Sequence, residues 1–302
     1  MDDRLRAHLE LAELSDEEFV RRAYRFVLRR DPEPGALERR VPRATLLREL
    51  VASEEFERLA ALDEAIAAAG DGRFLEAPPG TDERAIEIPW ALARVKPGER
   101  VLDVGTANAE PAYVAGLLHR NAAELVGVDL AEADVPGIRT VVADVRELPF
   151  ADGAFDLVLC VSTLEHVGRD NRLYGAAAEA DPRGIAAALE ELRRVLAADG
   201  RLVVTVPCGE REDHGWFVQF TPDAWNEAFL AAGFRVREEE IYALGPEGWR
   251  AAPAFKPEGV RYGPAAAAVL CASLAPVSGT RRVLRRRLRR RHQDARVPRA
   301  SV

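Results

Sequence analysis

From about residue 85 onward, short apolar runs alternate with helix-length amphipathic stretches, and this alternation restricts the fold more than any other feature. The runs are "ERVLDVG", "AELVGVDL", "IRTVVADV", "AFDLVLCVS", "GRLVVTVP", "FRVREEEIYAL" and "AAAAVLCASL". Between them lie "AYVAGLLHRNA", "GIAAALEELRRVLAADG" and "TPDAWNEAFLAAGF". Alternating strand and helix patterns predict an α/β domain, a parallel sheet with helices on both faces. The early runs are continuously apolar, as strands covered on both faces are. We place this domain at residues 85–278, after a linker at 71–84, "DGRFLEAPPGTDER".

Upstream, residues 1–70 read as an all-α module. Ser15 and Glu18 have the spacing of a capping box, and Phe19, Ala23, Phe26 and Val27 then recur at helical spacing. "DPEPG" at 31–35 stops that helix. Leu46, Leu47, Leu50 and Val51 mark a second apolar face, and Ser53 is placed to cap a further segment.

Charge is unevenly distributed along the 302 residues. The net charge is −8, yet residues 281–302 hold ten arginines and one acid, a local +9, which leaves −17 on residues 1–280. Phosphate attraction needs a basic face, so the acidic body argues against a nucleic-acid partner. The tail (279–302) carries Val283, Leu284 and Leu288 among its arginines. It is suited to weak contact with an anionic membrane surface, to folding on the acidic body, or to solvation. Cys160, Cys208 and Cys271 are scattered, which fits neither a disulfide framework nor a zinc site and points to a reducing, cytoplasmic setting. No metal site is expected.

In open α/β sheets, ligands sit beyond the carboxyl ends of the strands. That places Asp103 and Gly105, Asp129, Asp144 and the residues after Cys160 along one rim. Asp129 lies 24 residues after Gly105, about the distance within one strand–helix–strand unit, and suits the hydroxyls of a free ribose. The loop "VLDVGTANA" (101–109) discriminates between cofactors. A diphosphate needs open helix N–H groups and close backbone approach, hence G-x-G-x-x-G. Here those three positions hold Gly105, Ala107 and Glu110. An acid on the first helical turn opposes a diphosphate. Asp103 and Glu110 instead suit a cationic ligand without phosphate, and S-adenosylmethionine is such a ligand.

Residues 85–275 resemble a class I S-adenosylmethionine-dependent methyltransferase of the type 11 kind. The resemblance is carried by "VLDVGTANA", "VGVDL", "ADVRELPFADGAFDLVLCVSTLEHV" and "LEELRRVLAADGRLVVTVP". It implies a Rossmann-like, seven-stranded, mostly parallel sheet whose last strand, within 263–276, is antiparallel. It implies that Asp103, Gly105, Thr106 and Ala107 form the loop beneath the methionine part. Asp129 would bind the ribose hydroxyls, with Leu130 against the adenine. Asp144 would take the adenine amino group, with Val145 beside it. Cys160, Val161 and Ser162 would lie near the methionine end. Ala107 departs from the family pattern, which has glycine there, and adds a methyl group where the cofactor passes. Residues 15–62 resemble a small helical domain of unknown function found beside glycosyltransferases and methyltransferases in bacterial surface-polysaccharide systems, carried by "DEEFVRRAYRFVLRRDPEPGALE" and "LLRELVASEEFERL".

Methyl transfer from a sulfonium needs chiefly positioning, and a hydroxyl acceptor can need a base titrating near neutrality. His166, after the fourth strand, and His214, in the loop after the fifth, are the candidate bases, with Glu165 as an alternative base or ion-pair partner. Two long loops, 168–184 with Tyr174 and 207–225 with Trp216, Phe217 and Phe220, suit lids or acceptor walls. In "ERAIEIPWALARV" (83–95), Glu87 and Trp90 are candidates to fold over the cofactor. The expected activity is transfer of a methyl group to a hydroxyl of a saccharide or other small metabolite. A catalytically silent cofactor-binding module and a nicotinamide-dependent oxidoreductase are the rival readings.

Overall fold

The computed structural model describes residues 14–28, 32–68, 72, 75–172 and 180–277. The arginine-rich tail, the first 13 residues, the side chain of Phe26 and Tyr174 lie outside the described residues.

Helix α1 (Asp16–Val27) begins as its sequence predicts, with both halves of the capping box made. The Glu18 amide donates to Ser15 Oγ at 3.3 Å, and the Ser15 amide donates to Glu18 Oε2 at 3.0 Å. A single turn, α2 (Pro34–Leu37), leads to α3 (Arg43–Val51). Ser53 accepts from the Phe56 amide at 3.2 Å and starts α4 (Glu54–Ala68). Phe19, Ala23, Val27, Leu46, Leu47 and Leu50 form a separate apolar core in this helical part, while Val51 is exposed. Leu62 of α4 packs instead into the core beside the sheet. Part of the stretch read as a linker is likewise pinned: Leu75 and Ala77 are buried, and Ala77 pairs antiparallel with Trp249. The Trp249 indole N–H also donates to the Thr81 carbonyl at 3.1 Å.

Helix α5 (Arg84–Leu92) precedes the sheet and is buried from Ala85 to Leu92. Then follow β1 (Arg100–Val104), α6 (Pro111–Leu118), β2 (Glu124–Asp129), β3 (Arg139–Val142), β4 (Phe155–Val161), α7 (Gly184–Val195) and β5 (Leu196–Pro207). A short hairpin of β6 (Glu212–Asp213) and β7 (Val218–Gln219) leads to α8 (Pro222–Ala231). The described residues close with β8 (Phe234–Gly245), β9 (Gly248–Ala251) and β10 (Ala268–Pro276). The sheet order is β3-β2-β1-β4-β5-β10-β8-β9. β1 to β5 are mutually parallel, and β10 runs antiparallel between β5 and β8. This is the expected Rossmann-like sheet, extended by one strand. β9 is a four-residue hairpin partner of β8, and "GWRA" is too short to announce itself by periodicity.

Strand alternation divides the interior into two layers. Leu102, Val158, Val204 and Leu270 pack with Leu189 and Leu192 of α7 and Trp225 and Phe229 of α8. Val101, Leu157, Val203 and Val269 point to the other face, against Ile86 and Trp90 of α5 and Leu117 of α6. Because successive strand residues face opposite sides, continuous apolar runs are required here. The strand order reverses direction between β1 and β4, which opens a crevice at their carboxyl ends.

Candidate active site

A cleft of about 290 Å³ lies at that crevice. Its first half is built from the ends of β1, β2 and β3. Gly105 follows β1 with φ +92°, in the left-handed region, and a Cβ there would overlap the Thr163 hydroxyl. Thr163 cannot easily yield, because its hydroxyl bonds the Val104 and Val161 carbonyls at 3.1 and 2.9 Å. The single glycine is therefore demanded both by backbone conformation and by close packing of the β1 and β4 turns.

Asp103 is buried at the cleft wall. Tyr113 and Thr106 hydroxyls donate to its two carboxyl oxygens, each at 2.6 Å. Burial raises its pKa and the two hydrogen bonds pull it back. Thr106 and Ala107 do not line the cleft. Thr106 braces Asp103, and the Ala107 amide donates to Asp129 Oδ2 at 2.9 Å. Asn108 and Ala109, next in the chain, line the wall. The Ala131 amide holds the other Asp129 oxygen at 3.0 Å, so two backbone donors fix this carboxylate at the end of β2. Leu130 and Val145 supply apolar walls on either side. Asp144 also reaches the cleft but is gripped by Arg146, whose Nη2 donates at 2.7 Å and whose amide donates at 2.8 Å. Burial pushes the Asp144 carboxyl up, and the Arg146 hydrogen bonds and charge outweigh it, leaving its pKa below the usual value.

The second half is built from α5 and the ends of β4 and β5. Val161 and Ser162 close β4, with Ser162 at φ +44°. Glu87 of α5 has no exposed surface. One of its carboxyl oxygens accepts from the Ser162 hydroxyl at 2.7 Å, and the other, Oε1, makes no hydrogen bond of ordinary geometry, although the Thr205 hydroxyl also favours the ionised carboxylate. Burial, reinforced by the nearby Glu83 charge, pushes its pKa up to about 7. Glu165 is 2% exposed, its Oε2 likewise meets no donor, and burial beside Glu87 raises its pKa well above the usual carboxyl range. His166 Nδ1 lies 2.9 Å from the Trp216 carbonyl, which can only accept, so the proton sits on Nδ1. Burial lowers the imidazole pKa and keeps the ring neutral, with Nε2 as its basic nitrogen. Trp216, Phe217 and Tyr262 complete an aromatic wall.

Of the two histidine candidates, the structure brings His166 to the cleft and leaves His214 behind its wall. His214 stacks on Phe217 at 4.5 Å with parallel rings and lies 3.6 Å from Glu212. Trp90 is also absent from the cleft, its indole N–H donating to Glu240 at 2.7 Å. Cys160 is buried and does not line the cleft, and burial raises its thiol pKa. Tyr262, Glu83 and Arg84 line the cleft although nothing in their local sequence marks them.

The walls fit one class of cofactor better than another. Glu110 occupies the N-cap position of α6, without a side-chain capping hydrogen bond, and lines the cleft, so the helix end that would hold a diphosphate carries an acid. A sulfonium ligand with a free ribose fits instead: Asp129 presents a fixed carboxylate to hydroxyls, and Asp103, Glu87 and Glu165 make the surroundings acidic.

Residues 102–204 match the family model described as a methyltransferase domain. Among curated proteins the chain is similar to the probable tRNA methyltransferase 9B of Mus musculus, 26% identical over 136 residues, 45% of this chain and 28% of that protein. It is similar over a shorter stretch to an uncharacterized protein of Methanocaldococcus jannaschii, 41% identical over 68 residues, 22% of this chain and 23% of that one. The chain spans about a quarter of the length of these two relatives. Among solved structures it is similar to the 1,6-didemethyltoxoflavin-N1-methyltransferase of Burkholderia thailandensis, at 21% identity, 74% coverage of this chain, 90% of that one and TM-score 0.46. It is also similar to the YcgJ protein of Bacillus subtilis, at 15% identity, 64% and 97% coverage and TM-score 0.42. The turn at Gly105 and the carboxylates of Asp129 and Asp144 fall inside the span that matches the methyltransferase domain model.

Proposed function

We propose that the protein is an S-adenosylmethionine-dependent methyltransferase acting on a hydroxyl of a small polar acceptor, a saccharide or another small metabolite. The observation that carries this reading is the division of one cleft into a ribose-competent half around Asp129 and a second half that holds a neutral, oriented imidazole. When bound, the cofactor supplies an electrophilic methyl group with a good leaving group. Asp129 takes the ribose hydroxyls, Leu130 and Val145 flank the adenine, and Asp144 takes its amino group with the oxygen capacity Arg146 leaves. His166 Nε2 receives the acceptor proton as the oxygen attacks, beside the aromatic wall of Trp216 and Phe217. The small helical part at the N-terminus belongs, in this reading, to a polysaccharide-related setting.

An RNA acceptor is the second reading, favoured by the name of the mouse relative. The −17 charge on residues 1–280 weighs against it. Incubation with methyl-labelled S-adenosylmethionine and fractionated extract of the source organism tests both. Label in a base-stable methyl ether of a small molecule is the expected result. Label in RNA, or in no product, contradicts it.

A further inference from the structure

The second half of the cleft has more acid than a neutral acceptor needs. Glu87 and Glu165 are both more than nine-tenths buried, both line the cleft, and each has one carboxyl oxygen that makes no hydrogen bond of ordinary geometry. Glu83, 8% exposed, lies on the same wall one helical turn before Glu87, and one of its oxygens accepts from the Ala266 amide at 3.2 Å. Arg84, the cation on this wall, is drawn toward Glu110 at 3.6 Å and toward Asp82 and Glu83. A buried carboxyl oxygen without a donor is costly, and like charges packed together add to that cost. The Ser162 hydroxyl meets only one oxygen of Glu87.

Aromatic rings stand on the same half. Trp216 and Phe217 have ring centres 4.5 Å apart, Phe217 and Tyr262 also 4.5 Å, and His166 stacks on Trp216 at 5.3 Å. Aromatic faces beside buried carboxylates are the chemistry that recognises an organic cation. A neutral hydroxyl donates one hydrogen bond, and burial then pushes these carboxyls toward their neutral form although the Arg84 charge acts on both. An ammonium group donates up to three hydrogen bonds and favours their ionised form.

We propose that the acceptor carries a protonated amine, whose N–H donors are taken by Glu87 and Glu165 and whose charge rests against the wall of Trp216, Phe217 and Tyr262. This deepens the methyltransferase reading and rests on it. The amine anchors the molecule, and the hydroxyl that receives the methyl group is a separate group on it.

The test is calorimetric titration of the full chain saturated with S-adenosylhomocysteine, using tyramine and its neutral isostere 4-propylphenol. Tyramine is expected to bind at least roughly ten-fold more tightly, the size of one charge-assisted hydrogen bond. Glu87→Gln and Glu165→Gln are each expected to abolish most of that preference. The comparison on the unaltered chain needs no variant, so a variant that fails to fold does not remove the test. Equal binding, tighter binding of 4-propylphenol, or no binding of either overturns the proposal. So does a result in which the Gln variants weaken S-adenosylhomocysteine and leave the tyramine preference intact, since the acids then serve the cofactor. Failure to bind S-adenosylhomocysteine overturns the methyltransferase reading itself, and this proposal with it.

Discussion

The Ser162 hydroxyl donates to the Glu87 carboxylate at 2.7 Å across 75 positions of chain. The contact joins the helix before the sheet to the end of the fourth strand, and it places a fully buried acid in the wall of the cleft. Ser162 reaches it from a left-handed backbone, at φ +44°, a conformation that costs free energy in any residue but glycine.

Burial raises the Glu87 pKa to about 7 from 4.5. A carboxyl whose folded pKa is raised favours the folded state below its unfolded pKa, and that contribution is lost as pH climbs from 4.5 to 7. The groups that face it are Glu83 and Arg84 on its own helix, Glu165 after β4, and the hydroxyls of Ser162 and Thr205. Glu87→Gln removes the titration, so the variant gains stability relative to the unaltered chain as pH rises through this window, by about 3 kcal/mol at most. Urea unfolding at pH 5 and pH 8 measures the difference. A stability difference independent of pH contradicts the assignment.

Gly105→Ala puts a Cβ into the Thr163 side chain on a backbone at φ +92°. The expected loss is about 2–4 kcal/mol from strain and overlap together, read as a fall in thermal midpoint. Adding Thr163→Ala relieves the overlap and leaves the strain, so recovery is partial. Full recovery in the double variant shows that the conformation costs nothing.

Trp90→Phe deletes an indole N–H whose partner, Glu240, then keeps only its contact from the Tyr242 hydroxyl at 2.8 Å among these hydrogen bonds. Stability falls by about 1–2 kcal/mol. Affinity for S-adenosylmethionine stays unchanged, because Trp90 does not line the cleft. A change in that affinity without a change in stability reverses the assignment.

The parts of the site legible in sequence are those written within single strand–turn units. Asp103, Gly105, Asp129 and Asp144 each end an apolar run, and the rule that ligands sit beyond strand ends is enough to bring them together. Glu87 was legible only as an acid on a helix before the first strand. Its burial against Ser162 depends on packing between segments 75 residues apart. Ala107 holds a loop position that the pattern assigns to the cofactor path, and the tight turn Thr106–Asn108 directs its amide to Asp129, a contact that no spacing announces. His166 and His214 are indistinguishable as sequence. Both pack on the aromatic wall, and the fold separates them: His166 lines the cleft, while His214 stacks on Phe217 without lining it. The strap at Ala77 is held by Trp249 of β9, a long-range partner that no local pattern encodes.

Calorimetric titration of S-adenosylmethionine into the unaltered chain and into Asp129→Ala tests the central claim most directly. Asp129 is held by the Ala107 and Ala131 amides and presents the remainder of its carboxylate to the cleft. The account predicts saturable one-site binding by the unaltered chain and roughly 10- to 100-fold weaker binding by the variant, the loss of charge-assisted hydrogen bonds to a ribose. Absence of binding by the unaltered chain, or equal affinity in the variant, contradicts it.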